Sequence, residues 1–402
     1  MSGSIRYRAP MSLQGWFALV ARTAAATPKD RDRAVDALRA IAIVGVLVGH
    51  WLVTSLVLDP DGLRTVSPLV DMPYLVPASW VLQTLGLFFF VGGYANALSL
   101  TRSRRRGEDF DTWLRVRSAR LGKPVLALLA VWAPAWFILT GLEVPDQTVH
   151  TLVKLAVSPL WFIAVYLALT AITPWVLARV ERWGAAAALL PLLVVCCTDL
   201  ILIHGWLGVP EAVGWISLLV AWLVPYQLGV AWERGGLRSR GTAWSLVTLG
   251  TSGYALLVIV GNYPASMVGV TGADRSNLAP PSLLVPALAA VQIGLGLLCM
   301  DRLRAAMARA GTWALVATLN RFAMTLFLWH LTALMAVTVF TASWRPLVGL
   351  HTDPANLWWL AARVGWLPAF AGVLVLLGLG FARWEQASRR DRPAAETYAA
   401  SS

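Results

Sequence analysis

The sequence predicts an all-α, polytopic integral membrane helix bundle of about ten transmembrane helices, with both termini cytoplasmic. Apolar types make up 58% of the 402 residues and charged types only 13%, whereas a soluble domain carries roughly 25% charged residues. This composition excludes an ordinary soluble enzyme, a disordered protein and a secreted disulfide scaffold. The three cysteines lie in apolar runs and match no zinc spacing, so no metal site is predicted.

Apolar stretches near the length needed to cross a bilayer, about 20 residues, recur along the whole chain. They lie at about 34–57, 79–100, 124–142, 158–178, 185–205, 214–232, 242–261, 282–300, 321–341 and 358–382. The polar segments between them are too short to bury a core of their own. The sequence therefore predicts one transmembrane domain, 34–383, between a cytoplasmic N-terminal tail, 1–33, and a cytoplasmic C-terminal tail, 384–402.

The distribution of basic residues predicts the orientation of these spans. The net charge of +12 is also compatible with binding of nucleic acid. However, if residues 1–33 are cytoplasmic, 27 Lys and Arg residues fall in inner segments and only 4 in outer ones. Such a bias is the positive-inside pattern of membrane proteins. The basic excess therefore indicates topology, and no nucleic-acid partner is predicted.

Ionisable residues inside spans cost free energy and are functional candidates, and the first span contains Asp36, Arg39 and His50. Eleven residues separate Arg39 from His50, which returns a helix to within about 20° of the same direction and about 16 Å along its axis. Both side chains therefore share one stripe of the helix. Asp36, three residues before Arg39, is close enough to pair with it.

Arg39 and His50 together suggest a chemistry. A histidine can take a proton from a hydroxyl near neutral pH, and an arginine holds phosphate through a permanently charged, planar fork. A cation at the inner end and a base toward the middle of the span suit a phosphorylated donor from the cytoplasm. The alternative is a structural network, in which Arg39 reaches the interface and His50 bonds a carbonyl.

Two other regions contain candidate residues. The segment 101–123 has eight cations, of which Arg117 and Arg120 share one helix face, although such a charge run also fits a purely topogenic role. His330 lies about nine residues into its span. It is either a functional residue or a histidine that only packs in the core. Three further residues either line an acceptor side or reach the interface: Asp199, His204 and Arg363.

Five short motifs occur in a fixed order from the first span to the ninth. They are Asp36-Ala-Leu-Arg39-Ala-Ile-Ala followed by His50, Phe88-Phe-Phe-Val-Gly-Gly-Tyr94, Arg117-Ser-Ala-Arg120-Leu-Gly-Lys-Pro124, Leu160-Trp161-Phe162, and the span around His330. Together the order, the Arg-x10-His pair and the ten spans resemble the membrane-bound acyltransferase-3 family, which acylates glycans and antibiotic sugars.

The resemblance implies an O-acyltransferase of the bacterial cytoplasmic membrane, with no bound cofactor. The donor would be acyl-CoA, most simply acetyl-CoA, whose phosphates meet Arg117 and Arg120. His50 would act with Arg39 in catalysis, either as base or as acyl carrier. Supporting roles would fall to Asp36, Trp161 and His330. The acceptor would be a hydroxyl of a sugar, a cell-envelope glycan or a glycosylated natural product.

Two departures from the family pattern shape this expectation. The usual Ser-Gly pair of the second span is Gly92-Gly93 here, so a role for that serine hydroxyl is absent. An appended extracytoplasmic esterase-like domain is also missing, which favours direct acylation. One alternative is a transporter or flippase, with Asp36, Arg39 and His50 lining the substrate path. The two halves of the chain show no inverted repeat, which argues against a transporter. The other alternative is a membrane scaffold.

Overall fold

The computed structural model describes residues 31–204, 211–343 and 346–390, with side chains described for 31–201, 214–343 and 346–381. The predicted tails 1–33 and 384–402 lie for the most part outside these residues, as does the side chain of His204. Within the described residues the fold is helical apart from one two-stranded hairpin. The predicted all-α class is therefore confirmed.

Fifteen α-helices follow one another in the described part of the chain. They are α1 (Arg33–Val53), α2 (Val76–Leu82), α3 (Leu85–Arg105), α4 (Phe110–Gly141), α5 (Asp146–Val157), α6 (Leu160–Ala171), α7 (Thr173–Trp183), α8 (Leu189–His204), α9 (Ser217–Glu233), α10 (Arg240–Ile259), α11 (Leu284–Leu298), α12 (Met300–Met307), α13 (Ala310–Arg321), α14 (Ala323–Ala342) and α15 (Leu357–Arg390). Strands β1 (Ser55–Asp59) and β2 (Gly62–Val66) follow α1.

The membrane-crossing elements agree with the sequence. Nine helical segments of the described residues are long and apolar enough to cross a bilayer, and the number is ten if α11 and α12, bent by 55° at their junction, are counted as one span. These ten correspond in order to the ten predicted stretches. The helix bounds differ most at α4, which begins at Phe110 rather than near 124. An apolar stretch marks only the lipid-embedded part of a helix, and here Asp109 caps polar turns ahead of it by accepting from the Thr112 backbone N–H.

The first span ends four residues earlier than predicted, at Val53. The chain then forms the antiparallel hairpin of β1 and β2, in which Gly62 adopts a φ of +123° at the turn. Arg64 bonds Asp59 across the hairpin and Asp353 in the segment before α15. A short apolar run fits a strand as well as a helix end, so periodicity does not separate the two.

The centre of the bundle is the contact of α3 with α9. A Cβ on Gly93 would lie 2.1 Å from the Tyr226 carbonyl oxygen, and one on Gly229 would lie 1.8 Å from that of Phe90. Only glycine allows the two backbones to approach so closely. Helix α1 packs against α3 and also contacts α14 and α15. This arrangement brings the C-terminal end of α1 against both of the last two helices.

Candidate active site

Two histidines lie side by side where α1 packs against α14. His50 is in the last turn of α1, and the ring centroids of His50 and His330 are 5.0 Å apart. The side chain of His50 is exposed, whereas His330 is only 1% exposed. An accessible imidazole and a buried one are therefore neighbours at this contact of α1 with α14. The expectation that His50 lies toward the middle of its span is wrong, because α1 ends at Val53.

Hydrogen bonds fix the tautomer of His330. Its Nδ1 lies 2.6 Å from the Phe327 carbonyl oxygen, which can only accept, so Nδ1 carries the proton. In the neutral ring Nε2 is then an acceptor, and this buried atom has no partner within the described residues. The His330 carbonyl accepts from the Trp51 indole at 2.9 Å. The residue after His50 is thus tied directly to His330.

Asp36 does not pair with Arg39, contrary to the expectation from spacing. Its carboxylate instead accepts two hydrogen bonds from Arg31, at 2.6 and 2.7 Å. The backbone carbonyl of Asp36 accepts from the amide of Asn320 on α13. Arg31 precedes α1 and folds back along its first turn, which spacing inside the helix cannot reveal. Arg39 consequently has no carboxylate partner among the described residues.

Arginines from two helices converge near the N-terminal half of α1. The charges of Arg39, on α1, and Arg120, on α4, both act on the guanidinium of Arg117. Arg117 also lies over the Trp113 ring, with 5.6 Å from its Cζ to the ring centroid. Arg117 and Arg120 lie on α4 ahead of Pro124, in the helix that was expected to lead into this span. Three permanent cations from two separate parts of the sequence therefore share one region, which we call the arginine cluster.

A buried polar network holds Arg117 in place. Its Nη1 donates to Asn96 Oδ1 at 3.0 Å, and Asn96 is fully buried. The Asn96 amide donates to Thr170 Oγ1 and to the Tyr226 hydroxyl, each at 3.0 Å, and Tyr226 lies 2.7 Å from Thr173 Oγ1. Asn96 was not predicted from the sequence, because its side chain is not ionisable. A neutral polar residue in an apolar span was the available signal.

Trp161 reaches the histidines only through other rings. It contacts Phe162 at 6.2 Å between centroids, Phe162 contacts Phe327 at 4.6 Å, and Phe327 contacts His330 at 5.9 Å. The ring of Trp161 also lies 6.1 Å from that of Trp222. Trp161 therefore belongs to an aromatic wall beside the histidines, and its supporting role stays a prediction.

The Gly92-Gly93 pair has a local explanation. A Cβ on Gly92 would lie 2.6 Å from Cε2 and 3.2 Å from the hydroxyl oxygen of Tyr166. Tyr166 thus fills the space that a serine side chain would need at position 92. The ring of Tyr166 also contacts Phe88 and Phe162, so it forms part of the same aromatic wall.

The remaining ionisable candidates are structural contacts. Asp199, on α8, accepts from the Tyr263 hydroxyl at 3.0 Å and from the Leu283 backbone N–H at 2.6 Å; burial and this carboxylate raise the pKa of Tyr263. Asp199 therefore holds the segment between α10 and α11. Arg363 does not reach an interface, since it is fully buried. Within the described residues no group of three His, Cys, Asp or Glu side chains could hold a metal ion.

A comparison with protein families identifies the chain. Residues 32–382 match the acyltransferase domain of the acyltransferase 3 family. The chain is an acyltransferase of this family. The match includes all ten spans, and it favours the enzyme over the transporter and the scaffold. Comparisons with curated proteins and with solved structures found no match.

The family and the fold together establish a multi-span membrane acyltransferase, which implies an acyl donor and an acceptor. Two groups of side chains stand out in this acyltransferase. One is the histidine pair at the C-terminal end of α1, and the other is the arginine cluster nearer its N-terminal end. The enzyme therefore has a candidate proton acceptor near one end of α1, and a candidate anion site, formed by α1 and α4, nearer the other end.

Proposed function

We propose that this enzyme moves an acyl group, most simply acetyl, from acyl-CoA to a hydroxyl of a sugar, a cell-envelope glycan or a glycosylated natural product. The observation that carries the proposal is the exposed imidazole of His50 at the end of a membrane-spanning helix, with its ring centroid 5.0 Å from that of the buried His330. The enzyme would lie in the cytoplasmic membrane of a bacterium, with both termini cytoplasmic.

The arginine cluster supports coenzyme A as the donor. Phosphates bind best to guanidinium groups that are permanently charged and donate in a planar fork. Arg39 remains without a carboxylate partner among the described residues because Asp36 bonds Arg31. Arg117 is oriented by Asn96 rather than by an acidic residue. Arg39 and Arg117 thus keep their positive charge available for an anionic ligand.

The separation of the two groups fits a long, thin donor. Arg39 and His50 lie about 16 Å apart along the axis of α1. Coenzyme A carries its phosphates on the nucleotide and its thioester at the far end of the flexible pantetheine arm. Phosphates at the arginine cluster would therefore allow the thioester to reach the exposed ring of His50.

The transfer itself can follow two routes, and both use His50. In the first, a His50 nitrogen takes the hydroxyl proton while the oxygen attacks the thioester carbonyl carbon; the carbon–sulfur bond breaks and the proton passes to the coenzyme A thiolate. In the second, the His50 nitrogen attacks first and forms an acyl-imidazole with release of the thiol, and the hydroxyl then takes the acyl group. In either route the packing of the His330 ring against His50 would help to orient the His50 ring.

The test is acyl-CoA turnover by purified protein in liposomes, followed by release of free thiol. Thioester cleavage that depends on an added hydroxyl acceptor supports the proposal, whereas solute flux without cleavage supports transport. His50→Ala should lower turnover by about 10²–10⁴-fold, the usual contribution of a general base. His150→Ala changes an exposed histidine on α5 and is the matched control. Near wild-type turnover by folded His50→Ala would remove His50 from the mechanism.

A further inference from the structure

Arg363, on α15, is a buried cation to which the transfer mechanism assigns no step. Its exposure is 0%, and within the described residues no salt bridge includes it. Its guanidinium instead donates to three backbone carbonyl oxygens. Nε bonds Trp51 at 2.6 Å, Nη1 bonds Gly349 at 2.8 Å, and Nη2 bonds Thr54. A buried charge is costly unless it is well hydrogen-bonded, so these three contacts account for its retention there.

Two of the three carbonyls belong to the end of α1. Trp51 lies in the last turn, and Thr54 is the C-terminal cap. Carbonyls at a helix C-terminus lack partners within the helix, and a cation is favourable there because of the helix dipole. Arg363 therefore binds the backbone on both sides of the point where α1 stops. One of these bonds is only a residue away from His50.

Aromatic rings and a glycine enclose the guanidinium. Its Cζ lies 4.9 Å from the ring centroid of Phe370 and 5.7 Å from that of Trp359. Gly349, in the segment between α14 and α15, has a φ of +82°, and a Cβ there would lie 2.7 Å from the Arg363 backbone nitrogen. The backbone at 349 can therefore approach only as glycine. The side chain of Arg363 is held in a single place.

Trp51 links Arg363 to the second histidine, His330. The Trp51 backbone is held by Arg363, and its indole donates to the His330 carbonyl at 2.9 Å. The Trp51 ring also lies 5.7 Å from Phe370, which flanks Arg363. Helices α1, α14 and α15 are thus connected around one point, next to the pair of imidazoles.

We propose that Arg363 is a positioning residue for acyl transfer: it fixes the last turn of α1 so that the His50 ring keeps its place beside His330. The inference rests on the proposed function of His50. Arg363 does not touch the substrates, so its loss acts through the orientation of His50. A misplacement of about 1 Å at a reacting group can cost about 10²-fold in rate.

The experiment compares Arg363→Gln and Arg363→Lys with Asp199→Asn in the full-length protein. Asp199, on α8, is the matched control because it is also buried and ionisable. It holds the segment between α10 and α11 through two hydrogen bonds. For each variant we would measure kcat, the KM for acyl-CoA and the thermal unfolding midpoint. We would also measure the rate at which diethyl pyrocarbonate modifies His50, located by peptide mass spectrometry.

Arg363→Gln should lower kcat by about tenfold or more, with the KM for acyl-CoA little changed, and it should change the modification rate of His50. Arg363→Lys should recover only part of kcat, because an ammonium cannot replace the planar fork. Asp199→Asn should leave kcat, the KM for acyl-CoA and the modification rate of His50 unchanged. If Arg363→Gln fails to fold, the same measurements on Arg363→Lys test whether Arg363 positions His50.

An unchanged modification rate of His50, or a loss of kcat matched by Asp199→Asn at equal thermal stability, would overturn the inference. The labelling measurement does not depend on turnover. If His50→Ala retains activity, the proposed function of His50 fails, yet the labelling rate still reports whether Arg363 positions that ring.

Discussion

The tautomer of His330 separates its two ring nitrogens by role. Nδ1 donates to the Phe327 carbonyl, and Nε2 is a buried acceptor without a partner among the described residues. Asparagine can place a donor close to Nδ1, and glutamine can place a polar atom close to Nε2. The two substitutions therefore remove different halves of the imidazole.

We expect His330→Asn to retain the bond to Phe327 and lose about 10–100-fold in kcat, which lies at or below the usual contribution of a general base. His330→Gln should retain more activity at similar stability. The measurement is kcat for thioester turnover, with thermal unfolding as the control for folding. A higher kcat in His330→Asn than in His330→Gln would show that Nδ1, rather than Nε2, matters for transfer.

Asn96 orients Arg117 without neutralising its charge. Asn96→Asp would place a carboxylate against that guanidinium and should raise the KM for acyl-CoA about tenfold, the effect of one charge-assisted contact. The value of kcat should change little, because His50 is not touched. Kinetics at varied acyl-CoA concentration measure both constants.

Thr173→Val is the control for Asn96→Asp, since it removes a bond to Tyr226 in the same network without reaching Arg117. Equal KM values in Asn96→Asp and the unsubstituted enzyme would mean that the donor does not bind at Arg117.

Local periodicity predicted part of the site and could not predict the rest. The shared stripe of Arg39 and His50 follows from helix geometry alone. The common helix face of Arg117 and Arg120 follows from their spacing of three residues. The partner of Asp36 did not follow, because Arg31 reaches it from outside the helix. The contact of His50 with His330 joins residues 280 positions apart, and only the packing of α1 on α14 creates it.

At the scale of elements, the close approach of α3 and α9 depends on two glycines. Gly229→Ala would force a Cβ against the Phe90 carbonyl oxygen, and such overpacking typically costs about 1–3 kcal/mol. We expect a lower thermal unfolding midpoint in detergent, followed by tryptophan fluorescence.

Gly253→Ala is the matched control on α10, because a Cβ there would meet nothing within 4 Å. Alanine in a helix interior should leave stability equal or slightly raised. Equal midpoints for Gly229→Ala and Gly253→Ala would show that α3 and α9 can separate without cost.

The spans were predictable because lipid imposes a length of about 20 apolar residues on each. The helix ends were less predictable, because outside the lipid a helix no longer needs apolar side chains and hydropathy does not mark where it ends. The polar turns of α4 ahead of the apolar part and the hairpin after α1 both lie where the hydropathy pattern changes. There, capping and contacts with distant segments determine the structure.

At the scale of the whole molecule, the charge distribution predicts both termini in the cytoplasm. A reporter fused after Ser402 should be active as an inside reporter, and one inserted in the segment 262–281 as an outside reporter. The positive-inside rule supplies the reason, given the 27 basic residues on one side and 4 on the other.

The matched control for topology is the same pair of reporters in a protein that lacks the last predicted span, which should place its C-terminus outside. If the 262–281 reporter is still outside, an outside signal after Ser402 would mean an even number of crossings between the two sites, rather than the predicted three. The arginine cluster and His50 would then need new assignments to the two sides of the membrane.

The arginine cluster has a consequence for the conditions under which the enzyme works. Its groups are guanidiniums, which stay protonated at every physiological pH, so the affinity for an anionic donor should hardly vary with acidity. Mobile ions, however, screen such charges over about 10 Å at 0.1 M ionic strength. Added chloride or inorganic phosphate should therefore compete with acyl-CoA, and the salinity of the compartment that the cluster faces would regulate how well the donor is captured.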